Sequence, residues 1–230
     1  MRTRPLQRYA AALVGLIALT GCGSADLYPG DAAVVGERSV SMSEADRFAE
    51  AYCEINRPSL EQNDARLSMA RIRALALSLQ VAGIQAEEYA EEFDIEVGPE
   101  YARAVNDLED RVREQDLPDD ERDAVLEVLT TNTYVGAVFN QIGQRELGSE
   151  ADPQELDTAG GEVFSAWAAE QDVELDPRFG TVDQELAYTA PDESLSAPVS
   201  DLARLGADGA DPTEADTEYA DALPASQSCG

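Results

Sequence analysis

The residues of this chain that could do chemistry are three cysteines, Cys22, Cys53 and Cys229, and two groups of carboxylates. The first group is Asp107, Glu109 and Asp110. Paired carboxylates can share general acid and base work, but Arg111 and Arg113 lie beside these, and the pattern reads as an ion-paired helix face. The second group, Asp116, Asp119, Asp120 and Asp123, brackets Pro118. Four carboxylates around a loop could hold calcium, yet this spacing lacks the alternating oxygen ligands and sixth-position glycine of an EF-hand loop. Acids just inside a helix start are what the helix dipole favours. No metal site and no cofactor is expected.

The inventory excludes more than it offers. The 230 residues include no histidine, and all 16 basic residues are arginine. Histidine is the commonest general base, a usual zinc ligand and the partner of nucleophilic serine and cysteine. Lysine is needed for Schiff-base and P-loop chemistry. An enzyme is not expected. The net charge of −31 repels nucleic acid and anionic membrane surfaces, so nucleic acid is not an expected partner. The low aromatic content, 6%, argues against a large aromatic ligand pocket.

Cys22 has a context of its own. Arg2, Arg4 and Arg8 precede an apolar run, Ala10–Leu19, which is much shorter than the roughly 20 residues of a membrane-spanning helix. The run ends in Leu19-Thr20-Gly21-Cys22, which resembles the lipobox of bacterial lipoproteins. The resemblance implies a signal peptide over 1–21, cleavage between Gly21 and Cys22, and a lipid on the Cys22 thiol. The protein would then be lipid-anchored on the extracytoplasmic side of the cell membrane, with 22–31 as a Gly/Pro/Ser/Asp tether. Cys53 and Cys229 would remain in an oxidising compartment, where a disulfide between them is favoured over two independent thiols.

The elements that must position these residues are mostly helices. Ala33–Val35 and Ser39–Ser41 read as short strands about a Gly36-Glu37-Arg38 turn. Ser41 and Ser43 are helix N-cap candidates, with Glu44 and Asp46 three residues on. The first helix is expected over Ser43–Asn56, ended by Arg57-Pro58, and the second over Asp64–Phe93. The uncharged centre of the second, Ala74–Ala86, marks it as the central helix. A third opens at Gly98-Pro99, with a stripe at Tyr101, Val105, Leu108 and Val112. A fourth spans Asp119–Leu147, with a weak, kink-prone spot at Thr130–Thr133. A fifth starts at Asp152-Pro153 and ends near Gln171, and Gly160-Gly161 predicts a close helix crossing or a break within it. Tyr134, Phe139 and Trp167 read as core residues. Val173–Leu175 is a short strand, the one good partner for the opening strand. Residues 182–230, rich in Pro, Ala, Ser, Asp and Thr, read as a largely disordered acidic tail.

The two ends carry a family likeness. Val34-Val35-Gly36, followed by the Glu44-Ala45-Asp46 and Phe48 of the first helix, together with Asp176-Pro177-Arg178-Phe179-Gly180, resembles the SurA-like N-terminal chaperone domain of SurA- and PrsA-type exported folding factors. The resemblance covers 32–181. It implies a mainly α fold, a five-helix bundle whose opening strand pairs with the strand after the last helix. Family members often add a parvulin isomerase domain with histidines at its active site. Here about 50 residues follow Gly180 and no histidine exists, so no isomerase activity is expected. The function implied is that of a chaperone or holdase for unfolded exported proteins. The alternative is an adaptor or scaffold lipoprotein that binds one folded envelope partner. The client-binding residues are unknown from the sequence.

Overall fold

The computed structural model describes residues 29–182, 188–189, 199–208 and 215–230. Gly21, Cys22, the signal peptide and most of the tether lie outside this set. The described chain is mainly helical, with small antiparallel sheets.

It opens with β1 (Asp31–Val35) and β2 (Arg38–Ser41). The turn between them needs a positive φ, which Gly36 supplies at +56°, a region that glycine enters without a β-carbon penalty. Ser41 then caps α1 (Met42–Gln62): its hydroxyl accepts the Glu44 N–H, and the Glu44 carboxylate accepts the Ser41 N–H at 2.9 Å. This capping box fixes the strand-to-helix corner. Pro58 does not end the helix, contrary to expectation; α1 runs through it to Gln62. The extra turn places Leu60 against the first core cluster, and its carbonyl takes the Ala65 N–H at 2.9 Å. That packing offsets the cost of an internal proline.

β3 (Leu67–Ser68) comes next and takes the place of the expected first turn of the second helix. The buried Ser68 caps α2 (Met69–Glu92) by accepting the Arg71 N–H. No residue of Ala74–Ala86 is exposed, so α2 is the central helix. α3 (Pro99–Arg113) and α4 (Asp119–Leu147) start where expected. α4 continues unbroken through Thr130–Thr133, where the Thr130 and Thr133 hydroxyls donate to the Leu126 and Leu129 carbonyls at 2.7 Å. α5 (Pro153–Ala168) folds back on α4.

β4 (Val173–Leu175) pairs antiparallel with β1 in the register Ala33↔Leu175, Val34↔Glu174, Val35↔Val173. The sheet order is β2-β1-β4, so the two ends of the helical region meet as the sequence requires. The residues after β4 close this corner. The Asp176 side chain accepts the Arg178 N–H and heads the 3₁₀ turn Pro177–Phe179. Phe179 is buried against the sheet and α2, and Gly180 turns the chain away at φ +68°. β5 (Thr181–Val182) and β6 (Tyr188–Thr189) form a small hairpin.

The expectation of a disordered tail fails at its far end, where two further helices follow the five that lie within 32–181; residues 183–187, 190–198 and 209–214 of the tail lie outside the described residues. α6 (Asp201–Asp208) and α7 (Ala215–Ala222) are helical, and β7 (Ser228–Cys229) pairs with β3, Leu67 opposite Cys229 and Ser68 opposite Ser228. The tail has too little apolar surface to order itself. The order comes from attachment instead: Cys229 is bonded to Cys53, Ala220 is fully buried, and the Arg66 side chain donates to the Gly230 carbonyl at 2.8 Å.

Three buried clusters share α2. One joins α1, α2 and α4 around Phe48, Ile72 and Val128. One joins the β2-β1-β4 sheet to α2 through Val35, Val40 and Leu77. The third gathers Tyr89, Phe164 and Ile142 at the far end of α2, α4 and α5. Burying each such side chain stabilises the fold by about 1.5–3 kcal/mol.

Candidate functional site

A concavity of about 610 Å³ lies where β2, α1, α2, α3 and α4 meet, a volume within the usual range for ligand sites. Its floor is the α2–α4 seam. A β-carbon at Gly83 would stand 2.7 Å from the Thr131 side chain, so the glycine lets α4 settle onto α2. Gln80 and Thr130 border the same floor.

Two walls face each other across it. On one side Tyr101 of α3 and Tyr134 of α4 pack edge to face, with ring centroids 5.5 Å apart. Burial, and then the nearby Glu87 carboxylate, push the pKa of both phenols up, so both are neutral hydrogen-bond donors at any physiological pH. On the other side stand three consecutive residues of β2, Arg38, Ser39 and Val40. The Arg38 guanidinium spans to α2, donating to the Ile84 carbonyl at 2.6 Å and pairing with Glu87 and Glu88. Glu44 and Glu127 complete the rim, and Glu127 is bridged to Arg47 at 2.8 Å. The Gln80 side-chain oxygen is buried and lacks a hydrogen-bond partner. Such an atom costs free energy unless a donor reaches it. The site therefore offers neutral tyrosines and carboxylates, with the buried, unpartnered amide oxygen of Gln80 beside them. It can bind and orient, and among its residues none is a nucleophile paired with a base.

The residues singled out from sequence fall elsewhere. Cys53 and Cys229 are joined, with Cα atoms 5.8 Å apart, and both are buried. The bond ties α1 to β7. On α3, Arg113 holds Asp110 at 2.6 Å, and the Arg111 side chain donates to the Asp107 carbonyl. Asp119 pairs with Arg122 at 2.6 Å, in the first turn of α4 with Asp120. Among the described residues no three Asp, Glu or Cys side chains are grouped to hold a metal ion. Phe139 and Trp167 pack on the third core cluster, and the Trp167 N–H donates to Glu92 at 3.1 Å. Tyr134 touches that cluster too, but it also lines the groove.

From the sequence Ser39, Glu44, Tyr101 and Tyr134 read as strand, cap, stripe and core positions, and none of the groove residues is chemically unusual enough to mark a site. One signal was there. Gly83 interrupts an apolar helical run, where a glycine costs about 1 kcal/mol relative to alanine, and an interior glycine often marks a close approach. No helix among the described residues is long and apolar enough to cross a membrane. No protein-family profile, curated protein or solved structure matches this chain.

Proposed function

We propose that this protein is a lipid-anchored, extracytoplasmic polypeptide-binding protein of SurA-like architecture, which holds unfolded exported chains and has no isomerase activity. The observation that carries the reading is the groove between β2 and the Tyr101–Tyr134 pair. It is open, built from five elements, and lined by groups suited to binding. The β1–β4 pairing that closes the domain is in keeping with the SurA-like resemblance. The lipid would sit on Cys22 and the membrane would be the first partner.

A second reading, an adaptor for one folded envelope partner, draws on the surface. Among the described residues the large apolar side chains that are exposed are Phe93, Leu147, Val199 and Leu202, which are scattered in sequence. A general holdase usually offers a wider apolar patch.

Aggregation suppression separates the two. The chain from Gly23 to Gly230, without lipid, is added to a chemically unfolded protein, and light scattering is compared with an equally acidic inert control. Suppression near stoichiometric ratio, reduced in the Tyr101→Ala, Tyr134→Ala double variant, is expected of a holdase. Scattering equal to the control's would overturn the holding function in favour of the adaptor. The anchor has its own test: labelled palmitate should mark the wild type, and label persisting in Cys22→Ala would refute lipidation there.

A further inference from the structure

The pairing pattern of β1 decides which way β2 faces. Gly36 donates to the Asp172 carbonyl, and the Ala32 carbonyl accepts from Asp176. The even-numbered residues of β1 therefore direct their backbone groups to β4. Ala33 and Val35 direct theirs to β2, opposite Val40 and Arg38. Backbone direction alternates along an antiparallel strand, so Ser39, opposite Val34, turns its N–H and C=O away from β1. No described strand pairs with that outer edge. Ser39 is exposed, Arg38 half-buried and Val40 buried, and all three line the groove. Since successive side chains point to opposite faces, three consecutive lining residues mean that the edge of the strand, rather than one face, borders the cavity.

We propose that the groove takes an extended, basic polypeptide segment, which adds to the outer edge of β2 through the Ser39 backbone and lays its side chains toward Gln80 and the tyrosines. This deepens the polypeptide-binding reading above and rests on it for the choice of site. Strand addition gives affinity through main-chain hydrogen bonds and selectivity through pockets for alternate side chains. The bonds to Ser39 would form a reciprocal pair with one residue of the segment. The Gln80 oxygen is buried and unpartnered, so its amide would have to turn outward to accept a donor from the side chain beside it, as an arginine or lysine supplies. Charge selects the same occupant. The lining has three carboxylates, Glu44, Glu87 and Glu127, against Arg38 and the Arg47 that bridges Glu127, and the chain as a whole carries −31. An acidic segment is repelled on approach and a basic one is drawn in.

The test uses the full chain in detergent and a fluorescein-labelled peptide of alternating arginine and valine, read by anisotropy. Three comparisons accompany it: a twin with glutamate for arginine, a twin N-methylated at alternate amides, and the Ser39→Pro protein. Proline is tolerated at an edge position whose N–H is outside the ladder. The basic peptide should bind, the acidic twin at least tenfold more weakly. The N-methylated twin and Ser39→Pro each remove one donor of the reciprocal pair and should each lose about three- to tenfold, the equivalent of one net hydrogen bond. No binding of the basic peptide overturns the proposal, as does unchanged affinity for the N-methylated twin, which needs no folded variant. Light scattering on the same preparation keeps the two claims apart. Aggregation suppression without strand-dependent binding overturns this inference and leaves the holding function standing. Strand-dependent binding without suppression upholds the inference and overturns that function.

Discussion

Gly160 of α5 lies against the main-chain carbonyl of Phe139 in α4, so closely that a β-carbon at position 160 would collide with that oxygen. The contact is reciprocated one turn along, where Gly143 of α4 meets the carbonyl of Leu156 in α5. Each helix therefore offers a glycine four residues from the residue that fills the other's gap. Backbone meets backbone, and no side-chain rotation can relieve an added methyl. Gly160→Ala and Gly143→Ala should each lower stability by about 1–3 kcal/mol, the usual overpacking range. Gly136 is the control: it sits in α4 with nothing near its missing β-carbon, and Gly136→Ala should raise stability by about 1 kcal/mol. Urea unfolding of the three variants reads the difference, and equal effects would contradict the crossing.

Loss of the Cys53–Cys229 bond should free the C-terminal strand and destabilise the protein. The chain-entropy model for so long a loop gives about 5 kcal/mol as an upper figure. Trypsin cuts after arginine but not before proline, so without reductant Phe48–Arg66 should travel with Leu205–Gly230 in one mass. Two separate masses would refute the bond. Cys229→Ser should shift the urea midpoint down and leave β1, β2 and β4 protected from hydrogen exchange.

Pro58 interrupts the hydrogen bonding of α1 at an exposed position. Pro58→Ala restores a donor and removes a ring clash, so it should stabilise by about 1–3 kcal/mol. A loss of stability would mean that the proline holds the last turn in a shape which Leu60 packing needs.

Acid should weaken the strand-to-helix corner first. Hydrogen bonds with Ser41, from the side chain and then the backbone, hold the Glu44 carboxyl below the usual glutamate range. The Arg178 side chain, above all, does the same for Asp176. The folded state thus gives up these protons more readily than the unfolded chain does. Stability from both groups is present above the unfolded values and is lost as pH falls through the lower folded ones, below about pH 4. Glu44→Gln should flatten that acid limb in a series of urea titrations. Ser41→Ala should cost about 0.5–2 kcal/mol at neutral pH. An acid limb unchanged by Glu44→Gln would remove Glu44 from the account.

Much of the frame was legible because local rules and global needs agreed. An apolar strand that opens a helical chain must find a partner, and Val173–Leu175 was the available one. Gly160-Gly161 pointed by its cost to a close crossing or a break, and the crossing is what forms. Three features were not legible, and each depended on a distant residue. Leu67–Ser68 is extended because β7 arrives from the other end of the chain. Pro58 stays helical because Leu60 has a core to reach. The last residues are ordered because a covalent bond does what their composition cannot. The groove stayed hidden for a related reason: it is assembled from β2, α1, α2, α3 and α4, whose residues are unremarkable one by one.

The bond between Cys53 and Cys229 also reroutes tension. A pull applied between the strand at Asp31 and the terminal Gly230 has a covalent path of β1, β2 and the first half of α1 to Cys53, then across the sulfur bridge to the end of the chain. Everything from Glu54 to Ser228 is a closed ring hung from that short path, and no covalent load passes through it. If the N-terminal side is held at a membrane while something draws on the C-terminus, most of the bundle, with α2, α3 and α4 around the groove, rides along mechanically shielded.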